Sequence, residues 1–113
     1  MKFNRKIEFI IGLKTRNGGQ LAFAEVIQKS VVGVLSDYGI DGFSAHEGLG
    51  YWKGEPEQSV TVTIYHDLTE GNEALLDAQV QAIAAQIAAD CDQECVLYSI
   101  TEVKAGLAEG VWK

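Results

Sequence analysis

Ser59-Val60-Thr61-Val62-Thr63-Ile64-Tyr65-His66 is the stretch on which the fold turns. Val60, Val62 and Ile64 point one way and Thr61, Thr63 and Tyr65 the other, the two-residue period of a half-buried strand. Upstream, residues 42–52 read as its hairpin partner. There Phe43, Ala45, Leu49 and Tyr51 alternate with Ser44, His46, Gly48 and Gly50, and the glycines predict a bulge or a bend. Lys53-Gly54-Glu55-Pro56-Glu57 is the predicted reversal between the two strands, because glycine and proline punctuate it.

Outward from this hairpin the period changes twice. Residues 6–13 alternate as a first strand, with Ile7, Phe9, Ile11 and Leu13 on one side. After the break Lys14-Thr15-Arg16-Asn17-Gly18-Gly19, apolar residues recur at three- and four-residue steps: Phe23, Ile27, Val31, Val34 and Tyr38. That spacing predicts an amphipathic helix over 20–38, with Gly39 as its left-handed C-cap. Downstream, Thr69 or Asn72 is the expected cap of a second helix. Its stripe is Leu76, Val80, Ile83, Ala84 and Ile87, and it ends near Asp90. Residues 94–102 read as a fourth strand, with Val96, Tyr98 and Ile100 on one face and Cys95, Leu97 and Ser99 on the other. The order β-α-β-β-α-β predicts a ferredoxin-like α+β plait. Its four-stranded antiparallel sheet has the strand order 4-1-3-2, and both helices lie on one face. One domain of 113 residues is expected, with a core over about 6–103 and a tail over 104–113.

A composition of 47% hydrophobic and 22% charged residues excludes a disordered chain. No apolar run approaches the roughly 18 residues of a membrane span, and the N-terminal stretch lacks the pattern of a secretory signal; a cytoplasmic protein with no membrane partner is expected. The net charge is −7, unevenly spread. Residues 1–53 carry a net +2, whereas residues 54–103 hold ten acids and no Lys or Arg. Such a surface repels phosphate backbones, so nucleic acid is not an expected partner. Cys91 and Cys95 lack the further ligands that a zinc site needs. They are expected to be reduced and partly buried, and neither metal nor cofactor is expected.

Three groups of residues are candidates for function. Lys14, Arg16, Asn17, Gly18 and Gly19 lie in a basic, glycine-containing loop that leads into a helix, where free N–H groups favour an anion. Tyr51, Trp52 and Lys53, beside Gly48, Gly50 and Gly54, place two aromatics near the hairpin end, suited to a planar ligand or a neighbouring subunit. Ile10, Tyr65 and Tyr98 on the open sheet face, with Trp112 in the tail, are candidates for an interface. An open face this apolar is expected to be covered by another subunit or by the tail. The histidines are a weaker candidate: the hairpin register puts His46 and His66 on opposite faces.

The segment Gly50-Tyr51-Trp52-Lys53-Gly54-Glu55-Pro56-Glu57-Gln58-Ser59-Val60 resembles the strand-two to strand-three region of CutA-type proteins, and the element order is similar to the PII/CutA group of trimeric plaits. The resemblance implies trimerisation and small-molecule binding. The chain departs from PII in lacking a long ligand-binding hairpin loop, and from CutA in its strand-two glycines and in having no metal-binding Cys/His set. Gly50 to Trp52, Glu57 and Gln93-Glu94-Cys95-Val96-Leu97 also resemble small bacterial and phage plait proteins.

The function expected first is a non-enzymatic homo-oligomeric binding or regulatory protein, dimeric or trimeric. Its ligand would be a small anion or nucleotide held between subunits near Lys14, Arg16 and Trp52. The alternative is an acidic, phage-type inhibitor that occupies a basic nucleic-acid site on a host protein. A small plait-type enzyme, with Glu47 and His66 as its candidate groups, ranks third.

Overall fold

The strand that decided the sequence reading lies inside the sheet. In the computed structural model, which describes residues 1–111, β3 (Glu55–His66) lies between β2 (Ser44–Trp52) and β1 (Lys2–Gly12). β4 (Leu97–Gly106) is on the far side of β1, and all neighbours are antiparallel. The observed order β2-β3-β1-β4 is the predicted one. With α3 (Glu73–Asp90) and a first helical rod between the strands, the chain has a ferredoxin-like α+β fold.

The core lies between the sheet and the helices. Ile7, Phe9 and Ile11 of β1 and Val60, Val62 and Ile64 of β3 share one face and are buried. Leu76, Val80, Ile83, Ala84 and Ile87 of α3 meet them, as the stripe predicts. Asn72 stands at the cap position of α3, but neither it nor Thr69 caps by a side-chain hydrogen bond.

The first rod departs from the expected single α-helix. It runs as α1 (Phe23–Val26), a wide π turn over Ile27–Val31, and α2 (Val32–Asp37). A π turn takes in an extra residue and rotates the following face. Hence Val26, Ser30, Val31, Val34 and Leu35 are buried, whereas Tyr38, expected on the stripe, is exposed. The buried Ser30 hydroxyl donates to Asp90 Oδ2 at 2.8 Å, tying the π turn to the end of α3. Gly39, at φ +75°, closes the rod in the left-handed conformation expected of it.

The hairpin is longer and more regular than predicted. β2 and β3 pair without a register shift from Ser44↔Thr63 to Trp52↔Glu55, so the glycines make neither bulge nor bend. The reversal is only Lys53-Gly54, with φ of 52° and 80°, the two positive angles of a tight type I′ turn. Because β1 ends at Gly12, opposite Ser59, the hairpin end continues past it as a two-stranded ribbon. Pro56 is tolerated there because no third strand calls for its missing N–H. β4 starts at Leu97, later than expected, and takes in Lys104 to Gly106 from the expected tail.

The other sheet face carries no helix. Glu8, Ile10 and Gly12 of β1, Ser59, Thr61, Thr63 and Tyr65 of β3, and Leu97 and Ser99 of β4 share it. The molecule exposes 7565 Å², against about 6,100 Å² for a compact monomer of 12.3 kDa. Among the described residues no helix is long and apolar enough to cross a membrane.

Candidate functional site

The backbone of the basic loop does not offer the free N–H groups expected of an anion cradle. Its N–H groups are taken by the protein itself. Lys14 N–H donates to Glu57 Oε1 at 3.4 Å, Arg16 N–H to the Asp92 carbonyl at 2.8 Å, and Asn17 N–H to Asp92 Oδ2 at 3.3 Å. Thr15 and Gly18 close on backbone carbonyls, and Gly19 on the Thr15 and Asn17 side chains. At the start of α1, the Ala22 N–H is met by Glu25 Oε1. Where an anion was expected, three of the protein's own carboxylates, those of Glu57, Asp92 and Glu25, already accept.

Of these, Glu57 leads to a different site. Gly12, Gly48 and Gly50 all lie on the open face, around Ser59 and Glu57: Gly12 and Gly48 pair with Ser59 from either side, and Gly50 pairs with Glu57. Gly48 and Gly50 leave a shelf of bare backbone that a flat ligand can approach closely, and side chains cover Gly12 at its edge. Glu57 stands over Gly12, so closely that a Cβ at residue 12 would lie 2.7 Å from its Cδ.

One wall of the shelf comes from the connection after α3. Gln93, buried, occupies the space beside Gly12 that β4 does not reach. It donates through Nε2 to the Lys14 and Cys91 carbonyls, both at 3.1 Å. Next to it, Glu94 Oε2 accepts from Lys53 Nζ at 3.4 Å, and the same ammonium is 5.8 Å from the centre of the Trp52 ring. Trp52 shares the ribbon face with Gly50 and Glu57. Lys53 and Asp92 are the two non-glycine residues with positive φ among those described, and both border this end of the sheet. Such strained positions gather at functional sites.

The predicted candidates are therefore only partly brought together. Lys14, Trp52 and Lys53 reach the shelf end. Tyr51, with Leu49, faces away from it on the other side of the ribbon, exposed. Ile10 and Tyr65 lie on the open face as expected, with Tyr65 also 6.2 Å from Phe3 ring to ring. Tyr98 is a correction: it pairs with Phe9, whose side chain points inward, and packs against the core. Trp112 lies outside the described residues. Glu47 is exposed, opposite Val60, on the face away from the shelf. His46 and His66 do lie on opposite faces; His66 borders a cavity of about 60 Å³ with Ile7, Phe9, Tyr38 and Ile64, apart from the shelf. Both cysteines are free, Cys91 buried and Cys95 exposed. Among the described residues no group of His, Cys, Asp or Glu is placed to hold a metal.

Sequence reasoning named Glu57, Gln93 and Glu94 as features of a resemblance without giving them a place. The signal for the shelf is the open-face parity of Gly12, Gly48 and Gly50; the sequence reading sets Gly48 and Gly50 beside the aromatics of the hairpin end but does not join them to Gly12.

Neither a protein-family model nor a curated protein matches the chain. Among solved structures it is similar to a phage S-adenosylmethionine lyase in complex with S-methyl-5′-thioadenosine, with 20% identity and a TM-score of 0.64 over 97% of this chain and 93% of that one. It is similar also to a phage S-adenosylmethionine lyase in the apo state, with 19% identity and a TM-score of 0.67 over 98% of this chain and 94% of that one. At that identity the likeness is one of fold. Both of these neighbours are enzymes, and this overturns the expected non-enzymatic binding protein.

Proposed function

We propose that the protein is a lyase that cleaves S-adenosylmethionine on the open-face shelf and releases S-methyl-5′-thioadenosine. The fold likeness, which spans nearly the whole of both chains, supports this substrate class. In this chain the observation that carries the reading is Glu57, a carboxylate set over a glycine floor. The substrate bears a sulfonium and an ammonium, so it is a cation suited to an acidic site. Glu57 packs over Gly12 and accepts the Lys14 N–H at 3.4 Å, which sets its carboxylate at the edge of the shelf.

The cleavage proposed for the protein is an internal displacement, which adds no water. The substrate's own carboxylate closes a five-membered ring on its γ-carbon as the γ-carbon–sulfur bond breaks. The bonding pair goes to sulfur, which leaves as a neutral thioether, and no proton has to move. The protein then has to bind the substrate folded, with its carboxylate aimed at the γ-carbon, which is catalysis by orientation.

A homo-oligomer, dimeric or trimeric, is part of the reading. It is supported by the surface in excess of a compact monomer and by apolar side chains on the open face and ribbon: Ile10, Tyr65 and Leu97, with Leu49 and Tyr51 beyond.

The test is chromatography of S-adenosylmethionine incubated with the protein. Release of S-methyl-5′-thioadenosine well above buffer is expected. Glu57→Gln should lower kcat/KM by about tenfold, the scale of losing one charge-assisted contact at a partly exposed carboxylate. No release by the wild type would refute the reading, and an undiminished Glu57→Gln would remove Glu57 from it.

A further inference from the structure

We infer that the Trp52 ring and the Glu94 carboxylate form a subsite for the substrate's ammonium group, and that in the free protein the ammonium of Lys53 fills it. An aromatic face and a carboxylate converging on one cation is a recognised way to bind ammonium groups. Here Lys53 Nζ is 3.4 Å from Glu94 Oε2 and 5.8 Å from the Trp52 centroid. The occupant is a primary ammonium, the same group the substrate carries on its amino-acid portion. The cage adjoins the shelf, since Trp52 lies beyond Gly50 on the Glu57 face and Glu94 follows the Gln93 that lies beside Gly12.

Lys53 is easily displaced. Its side chain is 69% exposed and that of Glu94 59%, so their ion pair is weak and screened. It projects from a two-residue turn whose backbone favours glycine or asparagine at both positions. Once free, it extends into solvent. An ammonium keeps its charge throughout the cleavage, whereas the sulfonium loses its own. A cage built on the ammonium therefore strengthens binding without opposing the loss of charge at sulfur. Lys53 is thus an internal competitor that weakens substrate binding.

The nature of the cation rests on the lyase reading, but the cage does not, and the test separates the two. In a Trp112→Phe background, Trp52 gives the only indole N–H signal in NMR. It is titrated with n-butylammonium chloride, a free counterpart of the lysine side chain, and with neutral n-butanol. In Lys53→Met the ammonium should move the signal and saturate at about three- to tenfold lower concentration than with Lys53 present, because no occupant has to leave. Adding Glu94→Gln should reverse that gain, and n-butanol should move the signal in neither protein. With S-adenosylmethionine, Lys53→Met should lower KM by a similar factor. A signal that Lys53→Met makes no more sensitive to n-butylammonium, or one that n-butanol moves equally, overturns the inference whether or not the protein cleaves S-adenosylmethionine. A cage that behaves as expected in a protein that cleaves nothing would instead count against the lyase reading alone.

Discussion

Gly12 and Glu57 share one small volume, and that sets what either can be changed to. A Cβ on residue 12 meets the far end of the flexible Glu57 side chain, not backbone. In Gly12→Ala the carboxylate therefore moves and the strand stays. Cleavage of S-adenosylmethionine should fall by tenfold or more, while the urea midpoint shifts by the equivalent of less than about 1 kcal/mol; a variant that unfolds early but turns over normally would contradict this. The cysteines separate by environment. Burial pushes the Cys91 thiol up, against a hydrogen bond with Ser30 and the nearby Lys29 charge, which lower it. In the unfolded chain this thiol ionises near 9.0, whereas the native state holds its proton to higher pH. The unfolded state is thus favoured as pH rises above about 9, and stability should fall there but be level with respect to this group below it. Urea melts from pH 7 to 10 check the slope, which Cys91→Ala should reduce. A thiol reagent should label Cys95 at once and Cys91 only in denaturant. At this scale the sequence was least informative. Gly12 ends a strand pattern and carries no motif, and its meaning depends on a carboxylate 45 positions later in the chain.

At the scale of elements the sequence was far more legible, because periodicity reports which face is dry. The stripe of α3 and the alternation of β3 could be read directly, since each repeats one geometry for several turns or pairs. The first rod was misread where its geometry changes. Nothing in Ile27-Gln28-Lys29-Ser30-Val31 signals a π turn, which takes shape through packing and the Ser30–Asp90 contact. Tyr98 was placed on the wrong side because parity within β4 says which residues share a face but not which face the helices cover. One element boundary is fixed by a side chain. Asn4 on β1 donates through Nδ2 to the Leu68 carbonyl at 3.0 Å and accepts the Leu68 N–H on Oδ1 at 2.7 Å. It thereby acts as one more backbone pair and pins the loop between β3 and α3. Asn4→Ala should cost about 1–3 kcal/mol for two part-buried bonds, and Phe9→Ala, in the centre of the core, about 3–5 kcal/mol. Chemical denaturation measures both, and a neutral Asn4→Ala would show that the loop is held by Leu68 packing instead.

For the whole molecule the relevant quantity is surface. Principal extents of 50 × 39 × 27 Å and a radius of gyration of 15.3 Å describe an elongated body, where about 13 Å is usual for this length. Leu97, 63% exposed, lies opposite Ile10 on the open face. Leu97→Glu should convert an oligomer to a monomer in light scattering, and a wild type that already scatters as a monomer would refute the assembly. Under the proposed assembly, the ribbon ties activity to the abundance of the chain. If a second copy roofs the shelf, each catalytic unit is finished only when copies meet. Turnover per chain should then rise with enzyme concentration before levelling off, and a cell holding few copies would spare its methyl donor until synthesis passed that point.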